Sequence, residues 1–237
     1  MKIYRGLIHF HSNYSFDSIL SLKNIVNFAL KEDLNFLILT DHDSIEGSIA
    51  LRKYVEERGI NIEVIVAAEY NTEFGDIIAI NIEKEITEMG FQLFVKQVRN
   101  QNGILLLPHP YYGHTNIEEV ANKMDFIEVF NSRVDDASNE RALTLANKFN
   151  KSVYYATDAH NYNSLKNCIL EFKKDGGFIE SLLSNALKKP HTKKTYRVEV
   201  LFSQFIRSFK NKDYVLFMGL VKRLLISLIK FNIHRKV

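Results

Sequence analysis

Residues 2–12 read KIYRGLIHFHS, a short apolar run that ends in two histidines separated by one residue. Six further apolar runs follow along the chain: residues 34–39, 61–67, 76–81, 104–107, 126–130 and 152–156. Runs of this length, rich in Ile, Val, Phe and Tyr, are typical of buried strands. The opening segment is therefore predicted to be the first of seven strands.

Segments with helical periodicity separate most of these runs. Residues 21–34 carry a candidate N-cap, Ser21, and one apolar face formed by Leu22, Ile25, Val26, Ala29 and Leu30. Residues 43–59 are predicted to form a second helix, which Ser44 opens and Gly59 closes, and residues 136–149 and 164–174 two more. Strands that alternate with helices predict an α/β fold with a parallel sheet, and seven strands favour closure into a TIM-like barrel.

The composition excludes several classes of protein. The 237 residues are 46% hydrophobic and 25% charged, which excludes a disordered or fibrous chain. The single cysteine, Cys168, excludes a disulfide framework, and its helix-like context favours a place in the core. Arg5, His9 and His11 interrupt any signal-peptide core, and no apolar run is long enough to span a membrane, so we expect a cytoplasmic protein.

The charge is distributed unevenly. Residues 191–237 contain eleven Lys or Arg and two acidic residues, a net charge of +9, whereas residues 1–190 have a net charge of −6. This change in composition predicts a boundary near Pro190, between a barrel domain (1–190) and a basic helical extension (191–237).

Residues able to do chemistry collect at the ends of the predicted strands. Five strand ends carry them: His9 and His11, Asp41 and His42, Glu69, His109, and Asp158 with His160. That edge of an α/β sheet holds the active site. A single histidine after a strand is usually a loop or core residue, but five such positions together need positive charge between them. A centre of several metal ions is the simplest explanation.

Five motifs resemble, in order, those of the PHP (polymerase and histidinol phosphatase) family: His9-Phe10-His11-Ser12, Thr40-Asp41-His42, Glu69, Pro108-His109-Pro110 and Thr157-Asp158-Ala159-His160. They cover about residues 1–170, and the similarity is greatest to the compact PHP-domain phosphoesterases. The resemblance implies a distorted barrel of seven strands and seven helices.

The same resemblance implies a site for three metal ions. The first ion would be held by His9, His11, Glu69 and Asp158. Glu69 would bridge to a second ion, which His109 also binds. The third ion would be held by His42, His160 and Asp17.

One position departs from the family pattern. Many members have a histidine on the strand after the bridging glutamate, whereas residues 69–80 read EYNTEFGDIIAI. Either Asp76 supplies an oxygen ligand, or water fills the place, or the second ion is weakly held. Asp76 is equally well explained as a turn residue after Gly75. Two or three divalent ions are therefore expected, and the mixed ligands suit Zn, Mn or Fe.

Such a centre predicts hydrolysis of a phosphomonoester of a small metabolite by a metal-activated hydroxide. Asp41 is a candidate catalytic residue: it and Asp43 flank His42, and either would orient that ring or bind a metal ion. Arg133 is a candidate to clamp the phosphate, although a solvated loop arginine explains it equally well. A nuclease or nucleotide phosphatase is the alternative activity, and a non-catalytic scaffold tethered by its basic tail is another.

The basic extension allows three interpretations. The simplest is a pair of helices packed outside the barrel, with their basic residues in solvent. Contact with an anionic membrane surface through residues 191–237 is the second, and would make the protein peripheral to a membrane. Nucleic-acid binding is the least favoured, because the aromatic residues are not arranged for base stacking.

Overall fold

The computed structural model describes residues 2–234, with side chains described except those of Pro190 and residues 225–234. The strands are β1 (Ile3–Ile8), β2 (Phe36–Ile38), β3 (Glu63–Val64), β4 (Ala67–Thr72), β5 (Gly75–Ile80), β6 (Ile104–Leu107), β7 (Phe126–Asn131), β8 (Ser152–Ala156), β9 (Cys168–Lys173) and β10 (Lys188–Thr192). The helices are α1 (Leu22–Lys31), α2 (Glu46–Glu56), α3 (Phe91–Arg99), α4 (Ile117–Lys123), α5 (Asp136–Lys148), α6 (Phe178–Ser184), α7 (Arg197–Lys210) and α8 (Tyr214–His234). The α/β class predicted from the sequence is confirmed.

The strands form two sheets of mixed direction rather than one parallel sheet. Their orders are β10-β9-β1-β2-β3 and β4-β5-β6-β7-β8. The pairs β1–β2–β3 and β6–β7–β8 are parallel, whereas β4–β5–β6 and β10–β9–β1 are antiparallel. The prediction of a parallel sheet was therefore wrong for these pairs, of which only β4–β5 is a hairpin with a short connection.

The closed barrel is not confirmed, because no continuous ladder joins the two sheets among the described strands. Two isolated parallel bridges link them, Phe10 with Ala159 and His42 with Glu69. Apolar side chains fill the space between the sheets, including Tyr4, Phe36 and Tyr154. Helices α1 and α2 cover the outer face of the first sheet, and α3, α4 and α5 cover the second.

Local signals place several elements as predicted. Ser21 caps α1, because its hydroxyl accepts a hydrogen bond from the backbone N–H of Asn24 at 3.3 Å. Helix α2 begins at Glu46 rather than at Ser44, whose hydroxyl accepts from the N–H of Glu46. Gly6 allows β1 and β2 to approach closely, since a Cβ there would lie 2.0 Å from the carbonyl oxygen of Phe36.

The helix predicted over residues 164–174 is wrong. A 3-10 turn covers Tyr162–Asn167, and the rest is strand β9, which pairs antiparallel with β1. Leu170 and Phe172 point into the core while Glu171 pairs outside with Arg5 at 3.0 Å, a strand alternation that the sequence already contained. Cys168 is buried in this strand, and burial raises the pKa of its thiol to about 12.

The carboxyl-terminal segment packs against the body of the protein. Strand β10 crosses residue 190 and pairs with β9, and α7 lies beside the carboxyl ends of the strands. Within residues 2–234, no helix is both long and apolar enough to cross a membrane. The domain boundary near residue 190 stays a prediction.

Candidate metal centre

Eight polar side chains converge where the two sheets meet, and we call them the ligand floor: His9, His11, Asp17, His42, Glu69, His109, Asp158 and His160. They follow β1, β2, β6 and β8, except that Glu69 lies within β4 and Asp17 in the loop before α1. Most are almost fully buried, and His42 and Asp17 are the most accessible. The structure thus brings together every metal ligand predicted from the sequence.

The first group within the floor lies around Glu69 and Asp158. The Nε2 atoms of His9 and His11 lie 3.4 and 3.3 Å from Oε2 of Glu69. The same two nitrogens lie 3.7 and 3.4 Å from Oδ1 of Asp158. Ligand atoms each about 2.1 Å from a common ion are separated by about this much. His9, His11 and Asp158 therefore have the spacing of one coordination sphere, with Glu69 beside both histidines.

Glu69 also belongs to a second group. Its other oxygen, Oε1, lies 3.1 Å from Nε2 of His109, and His9 completes this group. One carboxylate oxygen thus faces each group. This is the arrangement of a carboxylate that bridges two positive centres.

A third group lies nearer the opening. Oδ2 of Asp17 is 2.9 Å from Nε2 of His160 and 3.3 Å from Nε2 of His42, and His11 adjoins them. The ring centroid of His11 is 4.5 Å from that of His42 and 4.3 Å from that of His160. Such close imidazoles can all be neutral ligands but cannot all be charged.

Several buried polar atoms of the floor have no hydrogen-bond partner, which indicates a site for a ligand. Among the described side chains, four ligand atoms or ring nitrogens of the floor are buried without a hydrogen-bond partner: His9 Nε2, His11 Nε2, Asp17 Oδ1 and His109 Nδ1. A buried polar atom with no partner is costly, so a native structure keeps it where a ligand satisfies it. The donor set of imidazoles and carboxylates fits divalent metal ions.

The pKa values of the floor histidines also indicate a site for positive ions. Burial opposes protonation of His9, but the carboxylates of Glu69, Glu128 and Asp158 outweigh it and raise its pKa well above 6.5. Burial also opposes protonation of His42 and His109, yet the pKa of each rises to about 9. Asp17 and Glu69 raise the pKa of His42, and Glu69 is the main cause for His109. The floor is therefore a strongly negative site that attracts positive charge.

Two buried carboxylates outside the floor hold its histidines in place. Glu128 accepts from Nδ1 of His9 at 2.8 Å and from the backbone N–H of His109 at 2.6 Å. The sequence signal for Glu128 is an acidic residue within the apolar strand β7. A carboxylate behind a ligating histidine fixes its tautomer and ring orientation.

Asp41 plays the equivalent part for His11. Its carboxylate accepts from the N–H and hydroxyl of Ser12, both at 2.6 Å, and from the hydroxyl of Ser15 at 2.8 Å. Ser15 Oγ in turn lies 3.3 Å from Nδ1 of His11. Asp41 therefore contacts His11 through Ser15, and its predicted catalytic role stays a prediction.

Asp76 lies beside the floor but outside its three groups. One of its oxygens accepts from the side-chain amide of Asn71 at 2.6 Å, and its backbone carbonyl lies 2.7 Å from Nε2 of His114. The ring of His114 is 5.7 Å from that of His109. Both ring nitrogens of His114 face backbone carbonyl oxygens, those of Tyr112 and Asp76, so His114 is not one of the ligand groups.

Three floor residues have left-handed backbones. The φ angles are 60° for His9, 27° for His109 and 49° for Asp158. Non-glycine residues adopt this region at a cost of about 1–2 kcal/mol, which the surrounding structure must offset. The turn at each strand end aims these side chains at the centre of the floor.

A pocket of about 220 Å³ opens above the floor. Helix α7 forms one side of it, and we call Val200, Ser203, Gln204 and Arg207 the α7 wall. Arg133 joins the wall to the floor: its guanidinium donates to Ser203 at 2.9 Å and lies 3.5 Å from Asp158. The guanidinium of Arg207 lies 5.2 Å from the ring centroid of Phe16, which stacks on His42. Sequence analysis identified Arg133 but missed the α7 wall.

The family model for the PHP domain matches residues 8–216. An uncharacterized protein of Methanocaldococcus jannaschii is 28% identical over 115 residues, which are 44% of this chain and 66% of that protein.

Among solved structures, PsfC from Pseudomonas syringae has a TM-score of 0.67 at 15% identity, over 88% of this chain and 100% of PsfC. A two-domain protein from Bacteroides vulgatus, containing a predicted PHP-like metal-dependent phosphoesterase, has a TM-score of 0.66 at 16% identity, over 81% of this chain and 65% of its own. A lesion-specific endonuclease from Pyrococcus furiosus has a TM-score of 0.55 at 14% identity, over 78% and 58%. These likenesses show the fold. The chain spans about two thirds of the M. jannaschii and B. vulgatus proteins.

Proposed function

We propose that this chain, which belongs to the PHP domain family, is a metal-dependent phosphoesterase that hydrolyses a phosphomonoester of a small metabolite. The observation that carries the proposal is the ligand floor, where eight mostly buried side chains meet in three groups with ligand spacing. Two arginines, Arg133 and Arg207, line the pocket above the floor. Negative groups below and positive groups above suit cations and a phosphate between them.

The ligand floor would hold two or three divalent ions, of Zn, Mn or Fe. When bound, such ions hold phosphate oxygens and bring the pKa of coordinated water towards neutrality. Glu69 offers one oxygen to each of two groups and so fixes their separation. Glu128 and, through Ser15, Asp41 orient His9 and His11, which makes both carboxylates positioning residues in this proposal.

Arg133 is proposed to bind the phosphate. Its side chain is half-buried and already ordered by Ser203 and Asp158, so little conformational entropy is lost when an anion arrives. A guanidinium presents two parallel donors that match two phosphate oxygens.

The pocket favours a small substrate. A volume of about 220 Å³, closed on one side by α7, matches a phosphate with a compact organic group. A polymer would need an open groove lined with basic side chains.

Elemental analysis of the purified full chain, beside a His9→Ala/His109→Ala variant, tests the metal centre. We expect two or three equivalents of Zn, Mn or Fe in the wild type, a loss of metal in the variant, and no loss in a Lys23→Ala/Lys53→Ala control on the outer helices. After reconstitution with Mn or Zn, 4-nitrophenyl phosphate should be hydrolysed faster than bis(4-nitrophenyl) phosphate, and chelation should stop the reaction.

Other outcomes select the alternatives. Faster cleavage of the diester or of a single-stranded oligonucleotide would replace the proposal with a nuclease. A chain that binds no metal after reconstitution and hydrolyses none of these compounds would be a scaffold.

A further inference from the structure

Helix α7 is amphipathic, but it faces the opposite way from an ordinary surface helix. Its polar residues Ser203, Gln204 and Arg207 lie against the pocket, and Ser203 is buried. Its apolar residues Val198, Phe202, Phe205 and Phe209 recur at helical spacing on the other side. Val198, Phe202 and Phe209 are 70%, 46% and 80% exposed. The helix therefore turns its apolar face outward.

Helix α8 packs beside α7 and exposes further apolar side chains. The ring of Phe217 contacts that of Phe205 with centroids 5.7 Å apart, and Leu220 is buried below. Tyr214, Val215 and Met218 at the start of α8 are 75%, 86% and 62% exposed. We call the exposed residues of the two helices the apolar face: Val198, Phe202, Phe209, Tyr214, Val215 and Met218. Exposed apolar side chains collected on two adjacent helices in this way indicate an interaction site.

The charges around the apolar face are almost all positive. Arg197, Lys212, Lys222 and Arg223 are exposed on the same two helices and the turn between them. The two acids of the segment are used at helix starts: Glu199 accepts from the N–H of Tyr196, and Asp213 from that of Leu216. The surroundings of the face therefore attract an anionic partner.

We propose that the apolar face of α7 and α8 docks on an anionic lipid surface. Aromatic and aliphatic side chains beside Lys and Arg are the combination that enters the headgroup region of such a bilayer. A second copy of the chain fits less well, because a symmetric contact would bring the two basic segments together. Nucleic acid would leave the apolar side chains without an apolar environment.

Docking would leave the pocket intact, since the ligand floor and α7 wall use the other side of the helix. Lys210 fastens α7 to the body: its ammonium donates to the carbonyl oxygens of Asn13, Ser15 and Ser18 at 2.8–3.1 Å. The helix is thus a fixed platform that does not have to leave its place to meet a membrane.

Co-sedimentation of the full chain with vesicles tests the proposal. The probes are vesicles of phosphatidylcholine alone and of equal parts phosphatidylcholine and phosphatidylglycerol. We expect the wild type to bind the mixed vesicles at least about tenfold better, and salt to weaken this binding. A Phe202→Asp/Phe209→Asp variant should lose about tenfold or more of it.

A Leu93→Asp/Leu183→Asp variant is the matched control. Both leucines are about half exposed, on α3 and α6, and the charge change is identical. It should bind as the wild type does. Circular dichroism and metal content verify the fold of each variant, and Phe202→Ser/Phe209→Ser replaces the acidic pair if that pair fails to fold.

Three results would overturn the proposal. The first is equal binding of the wild type to both kinds of vesicle, or binding to neither. The second is a Phe202/Phe209 variant that still binds like the wild type. The third is a wild type that dimerises without lipid and a variant that stays monomeric, which would assign the face to a second copy.

Discussion

The ligand floor and the α7 wall enclose one pocket but are built in opposite ways. The floor consists of mostly buried imidazoles and carboxylates, in which His9 donates to Glu128 and His11 contacts Asp41 through Ser15. The wall consists of side chains from one helix near the end of the chain, where Arg207 is exposed and Gln204 half-buried. The floor has the rigidity that catalysis needs, whereas the wall has the exposed, exchangeable side chains that suit substrate choice.

The largest effect is expected from Glu69→Gln. This change removes the negative charge shared by two groups of the floor. Metal content should fall, and hydrolysis should fall by about 1000-fold or more, because bound ions supply several kcal/mol of transition-state stabilisation. Elemental analysis and initial rates measure both. The exposed Glu63→Gln serves as the control, and a Glu69→Gln protein with full metal and activity would refute the bridging role.

A smaller effect is expected from Glu128→Gln. The side chain contacts His9 and the backbone of His109, and the amide would keep the shape but lose the charge. Metal affinity should fall roughly 10- to 100-fold, measured by competition with a fluorescent chelator. Excess metal should restore the rate, which a merely structural defect would not allow. A variant with unchanged metal affinity would show that Glu128 only fills space.

The smallest effect is expected from Arg207→Ala in the wall. The guanidinium of Arg207 lies over the ring of Phe16, which is not one of the floor residues. Loss of one charged contact with the substrate should raise KM about tenfold at unchanged metal content. Arg197→Ala, on the same helix but away from the pocket, should change neither. If Arg207→Ala removed metal, the separation between floor and wall would be wrong.

The floor could be predicted from the sequence because its chemistry is local. Seven of the eight ligands lie at or just after an apolar run, so motifs such as His9-Phe10-His11 and Asp158-Ala159-His160 mark both the strand end and the side chains. Asp17 lies in a loop, and only the family resemblance implied its role. The structure brings all eight predicted ligands together. Their metals stay a prediction.

The remaining features depend on distant parts of the chain. Whether residues 168–173 form helix or strand is decided by the open edge of β1, and pairing with that edge overrides a weak helical pattern. The α7 wall could not be foreseen, because its outward apolar face gives the same periodicity as a helix that packs normally. Periodicity reveals that a helix has two faces but not which of them meets the protein.

The attachment of Lys210 has a consequence for the order in which the protein assembles. Its three carbonyl partners lie in residues 13–18, the loop that carries Asp17, and are separated from it by 192 to 197 positions. Strand β1 likewise pairs on one side with β9, which lies some 160 residues later in the chain. Contacts this distant in sequence close late in folding. A ribosome that has made every histidine of the floor has therefore not yet made the residue that secures its first loop.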